Sequence, residues 1–317
     1  MTPTSPDALT DNDTHHSERH AVVLDYSDAF DGRDADEDQG RAAELAAFRA
    51  DALAGLSQPQ KSIPSKYLYD ALGAKLFEDI TEQPEYYPTR TETALLRAHA
   101  GEIAQAIGPG ATIVEPGSGA GEKVEILLSA LDEPRAMVPM DIAREQLRRV
   151  ARTLAGRHPD LTIVPLWADF TRPIDVPDEV ASLSPRLVFF PGSTIGNFLP
   201  SVQRELLASL AQLAGRDGSL LIGFDRIKDA SVLIPAYDDA AGVTRAFEMN
   251  ILHRLARDLS AQVTPEDFRY EARWNAADAR VEMHLAAARP TAITFDGQRF
   301  DFAKGETLWN ESSHKYD

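Results

Sequence analysis

The stretch ATIVEPGSGAGEK, residues 111–123, has the pattern of a buried β-strand that runs into a glycine-rich turn and then a helix. Gly117 and Gly119 permit a tight turn and a close approach of the backbone to a ligand. The glycine spacing is not G-x-G-x-x-G, and the GEK that follows does not fit a phosphate-binding P-loop. The stretch therefore predicts an α/β fold with a ligand-binding loop of another kind.

Strand and helix patterns alternate along the chain after this loop. Short apolar runs typical of buried strands recur in RAMVPMD (135–141), LTIVPLWADF (161–170), PRLVFF (185–190) and GSLLIGFD (218–225). Sequences with helical periodicity separate these runs. This alternation predicts a parallel, doubly wound sheet with helices on both faces.

Changes in composition and periodicity divide the chain into three parts. Residues 1–40 are polar and acidic and predict a disordered tail. Residues 91–227 carry the alternation and predict a Rossmann-like domain. Residues 228–315 are first helical and then alternate like antiparallel strands, and together with the helices of residues 41–90 they predict an α+β substrate-binding or lid domain.

Composition limits the possible partners. The net charge of −18 argues against nucleic acid and anionic membrane surfaces, which reward Lys and Arg. The absence of cysteine excludes disulfides, thiolate catalysis and cysteine zinc sites, and we expect no metal. No apolar run approaches the ~20 residues that span a bilayer, and the polar N-terminus does not have the pattern of a secretory signal. We expect a cytoplasmic, monomeric protein that acts on a small molecule.

The E-x-G-x-G sequence at residues 115–119 resembles the loop over which class I methyltransferases bind S-adenosylmethionine. Asp141 follows Gly117 by 24 residues (141 − 117) at the end of the next strand, near the spacing that ribose recognition needs. Asp169, at the end of the third strand, suits an adenine amino group. The alternative is a generic glycine turn, but three successive strand ends of this kind favour a nucleoside-type cofactor at the carboxyl edge of the sheet.

VFFPGSTIGNF, residues 188–198, ends the fourth predicted strand at that same edge. Asn197 offers a hydrogen-bond donor and an acceptor without charge, which suits an amino-acid head group. The alternative is an ordinary asparagine cap for the next helix. The small residues beside it, Ser193, Thr194 and Gly196, leave room for an amine that gains methyl groups.

Four motifs in a fixed order resemble the histidine-specific methyltransferase family: PEYYPTRTE, EPGSGAGEK, PGSTIGNF and AYDDAAGVTRAFEMN. The resemblance runs from about Lys61 to the C-terminus. It implies a transferase that uses S-adenosyl-L-methionine as methyl donor. It also implies that three methyl groups pass to the α-amine of L-histidine, which gives hercynine in the first step of ergothioneine biosynthesis.

The resemblance also implies a set of site residues. Cofactor contacts, with Gly119 added from the loop pattern, are expected at Gly117, Gly119, Lys123, Asp141, Asp169 and Phe170. Substrate contacts are expected at Tyr86, Asn197, Tyr237, Glu311 and Ser313. Tyr69 in YLYD is expected to line the pocket and, with Asn197, to act in catalysis.

Chemistry suggests what these substrate residues do. Asn197 and Tyr237 would hold the carboxylate and amine of the substrate. Glu311 and Ser313 are two apart on an extended segment, so they project to one face and could bracket the two imidazole nitrogens. We identify no histidine or lysine base in the motifs, and we expect the amine proton to leave through a tyrosine or a water held by Asn197.

One departure from the family pattern concerns the end of the chain, HKYD. The resemblance implies a few dozen further residues that form the last strands of the cofactor-binding sheet, so we expect GSLLIGFD to lack a neighbour. Three alternatives remain at this point. The acceptor could be another aromatic amino acid or an indole derivative, the chain could be a non-catalytic cofactor-binding homologue, or it could be a nicotinamide oxidoreductase, which the missing G-x-G-x-x-G disfavours.

Overall fold

The computed structural model of the chain describes residues 34–172, 174 and 178–317. The predicted tail lies outside this part except for residues 34–40, which form the first turns of a helix. The predicted boundary at residue 41 therefore falls inside that helix. Among the described residues, no helix combines the length and the apolar composition that a membrane crossing needs.

The helices of the described chain are α1 (Asp34–Leu56), α2 (Ala71–Thr81), α3 (Tyr87–Ile107), α4 (Glu122–Leu128), α5 (Arg144–Arg157), α6 (Asp178–Ala181), α7 (Pro200–Ala214), α8 (Ala230–Tyr237) and α9 (Val243–Leu259). The first strands are β1 (Thr112–Pro116), β2 (Ala136–Asp141), β3 (Thr162–Ile163), β4 (Leu166–Trp167), β5 (Arg186–Phe190) and β6 (Ser219–Ile222). The later strands are β7 (Phe268–Asn275), β8 (Arg280–Ala287), β9 (Thr291–Phe295), β10 (Gln298–Phe302) and β11 (Thr307–His314).

The first six strands form a parallel sheet in the order β3-β2-β1-β5-β6, in which β4 also pairs with β2. The strand pairs of this sheet are all parallel, which confirms the parallel α/β prediction. The chain reverses its direction of winding between β2 and β5, on the two sides of β1. In sheets of this type, ligands bind at that switch point, beyond the carboxyl ends of the strands.

The strand predicted over residues 161–170 is interrupted in the structure. Its two halves, β3 and β4, both pair with β2 but are separated by Val164 and Pro165. Proline has no backbone N–H to donate to a ladder, which accounts for the break. Asp169 consequently lies in the loop beyond β4 and not at a strand end.

Apolar side chains cover both faces of the parallel sheet. One core packs α3, α4 and α5 against it, with residues such as Leu96, Leu127 and Val150. The other packs α6 and α7 against the opposite face, with residues such as Val180 and Leu210. The sheet is therefore doubly wound, as the alternation predicted.

A third core joins the beginning and the end of the described chain. It contains Phe48 and Leu56 of α1, Leu233 of α8, Phe247 of α9 and Leu308 of β11. The antiparallel sheet β11-β8-β7 and the pair β10-β9 belong to this unit, which confirms the expected antiparallel strands. This core contains residues of both segments assigned to the second domain, and α3 runs across the boundary predicted at residue 91; the division into domains stays a prediction.

β6 lies at the edge of the parallel sheet. Among the described residues, its only ladder partner is β5, and Leu220 and Phe224 are exposed to 36% and 52%. The expectation that further strands normally follow stays a prediction.

Candidate active site

The glycine loop after β1 is held against the end of β2. The N–H of Gly117 donates to the carbonyl oxygen of Met140 at 2.7 Å, and the φ angles of Gly117 and Gly119 are 71° and 51°. A Cβ on Gly117 would come within 3.2 Å of the ring of Phe170, so that ring packs directly over the loop. These glycines are needed both for the backbone conformation and for the close contact.

Asp141 stands at the end of β2 with its carboxylate facing the glycine loop. Oδ2 accepts from the N–H of Gly119 at 3.2 Å and Oδ1 from the N–H of Ala143 at 2.8 Å. Burial raises the pKa of Asp141, and the backbone N–H groups oppose that rise. A carboxylate has about four acceptor positions, so two remain for hydroxyl groups such as those of a ribose.

Two buried polar atoms beside this loop have no hydrogen-bond partner within the described part of the chain: the Oε2 of Glu115 and the Oγ of Ser118. Both side chains are at most 5% exposed. Buried polar atoms are rarely left unpaired. A Cβ on Gly119 would meet only the carbonyl oxygen of Gly117, at 3.9 Å, so there is room above the turn. These features fit a polar ligand such as the nucleoside-type cofactor expected from the sequence.

Two of the predicted cofactor residues have strong protein partners. Asp169 accepts from Thr171 and lies 3.3 Å from the Nζ of Lys66; although burial alone would raise its pKa, these contacts lower it. The Nζ of Lys123 lies 2.5 Å from the Oε2 of Glu92.

Glu92 was not among the site residues expected from the sequence. Its carboxylate also accepts from the N–H of Gly192 at 2.8 Å, so it ties α3 and Lys123 to the loop after β5. The sequence feature that could have pointed to Glu92 is its position in the PEYYPTRTE motif.

Asn197, in the loop after β5, contacts Glu311 of β11. It ends a 3₁₀ turn, Thr194–Asn197, and its Nδ2 donates to the Oε1 of Glu311 at 3.1 Å. The next helix, α7, is capped by Leu199, so Asn197 is not that cap. A Cβ on Gly196 would come within 2.8 Å of the carbonyl oxygen of His314, which shows how closely this loop packs on β11.

Glu311 and Ser313 share one face of β11, as predicted. They pair with Met283 and Val281 of β8, after a register shift between Trp309 and Glu311. The register shift places Trp309 on the opposite face. Its partner in β8 is an odd number of residues away from the partners of Glu311 and Ser313, so the two sets of side chains point to opposite faces of the sheet.

Ser313 belongs to a buried polar cluster that includes a lysine. The hydroxyl oxygens of Tyr237 and Ser313 are 2.8 Å apart, and the Nζ of Lys315 lies 2.6 Å from the first and 2.8 Å from the second. The sequence motifs did not predict a lysine here. The sequence feature that could have indicated it is the strand period of two. Lys315 follows Ser313 by two residues, as Ser313 follows Glu311, so all three are expected on one face.

Aromatic rings connect Tyr69 and Tyr86 to this cluster. Tyr86 lies edge-on to Tyr237 with ring centroids 6.0 Å apart, and Tyr69 packs edge-on against Phe247 at 5.2 Å. Burial raises the pKa of both Tyr69 and Tyr86, and the charge of Glu311 raises each further. Both phenols are therefore neutral at physiological pH.

A second carboxyl group lies behind Glu311. Burial raises the pKa of Glu248 in α9 to about 8, and the Nδ2 of Asn310 donates to its Oε2 at 3.0 Å. Burial and the charge of Glu248 raise the pKa of Glu311 well above its usual range. The pair therefore retains a proton at neutral pH.

The chain matches the family model described as histidine-specific methyltransferase, SAM-dependent, over residues 48–317. It is 40% identical over 275 residues to the histidine N-alpha-methyltransferase of Mycolicibacterium smegmatis, which covers 85% of this chain and 84% of the relative. Its identity to the enzyme of the same name from Mycobacterium tuberculosis is 38%, with the same coverage of 85% and 84%. Ergothioneine biosynthesis protein 1 of Neurospora crassa is 33% identical over 195 residues, or 60% of this chain and 22% of that protein.

Proposed function

Because the chain belongs to the histidine-specific, S-adenosylmethionine-dependent methyltransferase family, we propose that it methylates the α-amine of L-histidine three times to give hercynine, the first step of ergothioneine biosynthesis. The identity of 38–40% to histidine N-alpha-methyltransferases supports this activity. The structural observation that supports it is the contact between Asn197 and Glu311, which joins the proposed cofactor edge of the sheet to the face of β11 that would contact the imidazole.

The residues of the glycine loop and of β2 fit the methyl donor. Gly117 and Gly119 would support its amino-acid and ribose parts, Asp141 would accept from the ribose hydroxyls, and Phe170 would pack on the adenine. Asp169 and Lys123 complete the proposed set. When bound, S-adenosylmethionine supplies an electrophilic methyl group together with its own leaving group.

The substrate would lie between the two domains. Asn197 and Tyr237 would hold the carboxylate and amine by uncharged hydrogen bonds, and Glu311 would accept from an imidazole N–H. Because a ring without that nitrogen would leave Glu311 without this donor, the site would disfavour other aromatic amino acids.

The protein's contribution to the rate would be positioning and the exclusion of water. Tyr69, Tyr86 and the residues around them form an apolar wall with neutral hydroxyls. Such a wall aligns the amine lone pair and tolerates an amine that gains methyl groups and finally a positive charge.

Replacing Asp141 by alanine is expected to weaken binding of S-adenosylhomocysteine by about 10- to 100-fold, since two charge-assisted hydrogen bonds to the ribose would be lost. Isothermal titration calorimetry without histidine measures this directly. Asp160→Ala, at an exposed position after α5, is the matched control and is expected to bind normally. Equal affinities of Asp141→Ala and the wild type would exclude Asp141 as a ribose ligand.

Replacing Glu248 by glutamine is expected to shift the acid limb of the pH profile for L-histidine to lower pH by about one unit. The wild-type kcat/KM should rise with pH as the Glu248–Glu311 pair loses its shared proton and frees a charged acceptor. Removing the charge of Glu248 lowers the pKa of Glu311, so the same rise occurs at lower pH.

The profiles would be measured from about pH 6 to 9 with both proteins. The α-amine of free histidine titrates identically in the wild-type and Glu248→Gln experiments. Only the difference between the two pH profiles therefore reports on the Glu248–Glu311 pair. Superimposable profiles would show that Glu248 does not influence the acceptor.

A further inference from the structure

Lys315, directly after β11, is a fully buried lysine with three oxygen partners. Its side chain is 0% exposed, and its Nζ lies 3.1 Å from the Oδ2 of Asp225. The other two partners are the hydroxyl oxygens of Tyr237 and Ser313, at 2.6 and 2.8 Å. An ammonium group has three protons and no lone pair, so these oxygens account for all of its hydrogen-bonding capacity.

Neutralising Asp225 does not by itself explain this lysine. Asp225 already has a second cation, because the Nζ of Lys228 lies 2.5 Å from its Oδ1, and it accepts a further hydrogen bond from Tyr87. Burying an ammonium group is costly unless every proton is paired. The distinctive feature of Lys315 is therefore its contact with the two hydroxyls of the proposed substrate pocket.

The ammonium group sets the direction of the remaining hydrogen bonds. Tyr237 and Ser313 each accept one proton from Lys315, and one of the two donates to the other across 2.8 Å. One hydroxyl then has both lone pairs occupied and keeps a single proton for a third partner. The positive charge repels that proton, so it points away from Lys315.

When Tyr237 donates to Ser313, the proton left for a third partner is that of Ser313. Ser313 shares its strand face with Glu311, so in this arrangement the directed donor lies beside a carboxylate acceptor. A neutral imidazole offers one N–H and one unprotonated nitrogen, which match an acceptor and a donor on one face. We infer that Lys315 is a positioning residue that orients the Ser313 hydroxyl as a donor to the unprotonated ring nitrogen of the substrate. This inference rests on the proposed function, because it takes L-histidine as the ligand.

The test is a double-mutant cycle with Lys315→Met, Ser313→Ala and the combined variant. Binding of L-histidine is followed by calorimetry with S-adenosylhomocysteine present, and kcat and KM are measured for both substrates. Lys315→Met is expected to weaken histidine binding by about tenfold, without changing the KM for S-adenosylmethionine. In the Ser313→Ala background, Lys315→Met should weaken histidine binding by less than about a further twofold, because the hydroxyl through which Lys315 acts is absent.

Lys228→Met is the matched control, since it removes the other cation from Asp225 and leaves both hydroxyls in place. It is expected to change histidine binding by less than about twofold. If Lys315→Met does not fold, Lys315→Gln takes its place in the cycle, with a smaller expected loss because the amide still donates.

The positioning role would be overturned if the loss of histidine affinity in the combined variant equalled the product of the two single losses. It would also be overturned if Lys228→Met weakened histidine binding as much as Lys315→Met does. A wild-type protein that binds histidine but does not methylate it would instead refute the proposed function, and the binding cycle would still decide the role of Lys315.

Discussion

Replacing Glu311 by glutamine is expected to lower kcat/KM for L-histidine by about a hundredfold at a pH above the acid limb of the profile, where the Glu248–Glu311 pair has lost its shared proton; this is the size of a lost charge-assisted hydrogen bond in a buried site. Glutamine keeps the shape and an oxygen that can still accept from Asn197, so the change isolates the charge that an imidazole N–H would meet. Because this contact would hold the ring in the ground state as well, we expect KM to carry much of the loss.

The measurement is steady-state methylation of L-histidine, with binding of S-adenosylhomocysteine as a check that the cofactor side is intact. Glu306→Gln, one residue before β11, is the matched control; its carboxylate pairs with Lys61, and the two side chains are 34% and 14% exposed. It should retain wild-type kinetics. Unchanged kinetics in Glu311→Gln would show that the ring of the substrate does not depend on this carboxylate.

Replacing Asn197 by aspartate is expected to lower kcat/KM by about a thousandfold. The Nδ2 of Asn197 lies 3.1 Å from the Oε1 of Glu311, so aspartate would place two carboxyl groups in contact. Two carboxylates at that distance cannot both ionise, and a negative charge here would also repel the carboxylate of the substrate. The same substitution therefore damages the proposed ring and head-group contacts together.

Asn275→Asp makes a comparable change elsewhere, since the Nδ2 of Asn275 lies 2.9 Å from Glu282 and 3.0 Å from Asp278. It tests whether an asparagine-to-aspartate change beside carboxylates is harmful in general, and we expect nearly normal methylation. Normal histidine binding and a wild-type rate in Asn197→Asp would refute the role proposed for the loop after β5.

The parallel sheet was predictable because its strands are short, apolar and bounded by helical sequences. The glycine loop and Asp141 then follow from topology, since the carboxyl ends of neighbouring parallel strands lie at one edge. The position of Asp169 could not be predicted in the same way. Pairing with β2 stops at Pro165 and resumes in β4, and the apolar run alone does not show where the last paired residue lies.

The antiparallel part shows a second limit of sequence patterns. Strict alternation would place Trp309 and Glu311 on one face, but the register shift between them puts Trp309 against His284 and turns Glu311 inward. A bulge depends on the partner strand and leaves no reliable mark in the sequence.

Contacts between distant segments were also beyond the sequence. Glu248 comes from α9, yet its charge raises the pKa of Glu311 in β11. The cluster of Tyr237, Ser313 and Lys315 likewise combines α8 with the end of the described chain. The third core, to which α8, α9 and β11 all contribute residues, holds these three elements together.

The most direct test of the proposed activity is mass spectrometry of L-histidine incubated with the protein and S-adenosylmethionine, with tryptophan and tyrosine in parallel. The account predicts mono-, di- and finally trimethylated histidine, with fragmentation that releases trimethylamine and so locates the methyl groups on the α-amine. Methylation of a ring nitrogen, methylation of tryptophan or tyrosine in place of histidine, or no product despite cofactor binding would contradict it.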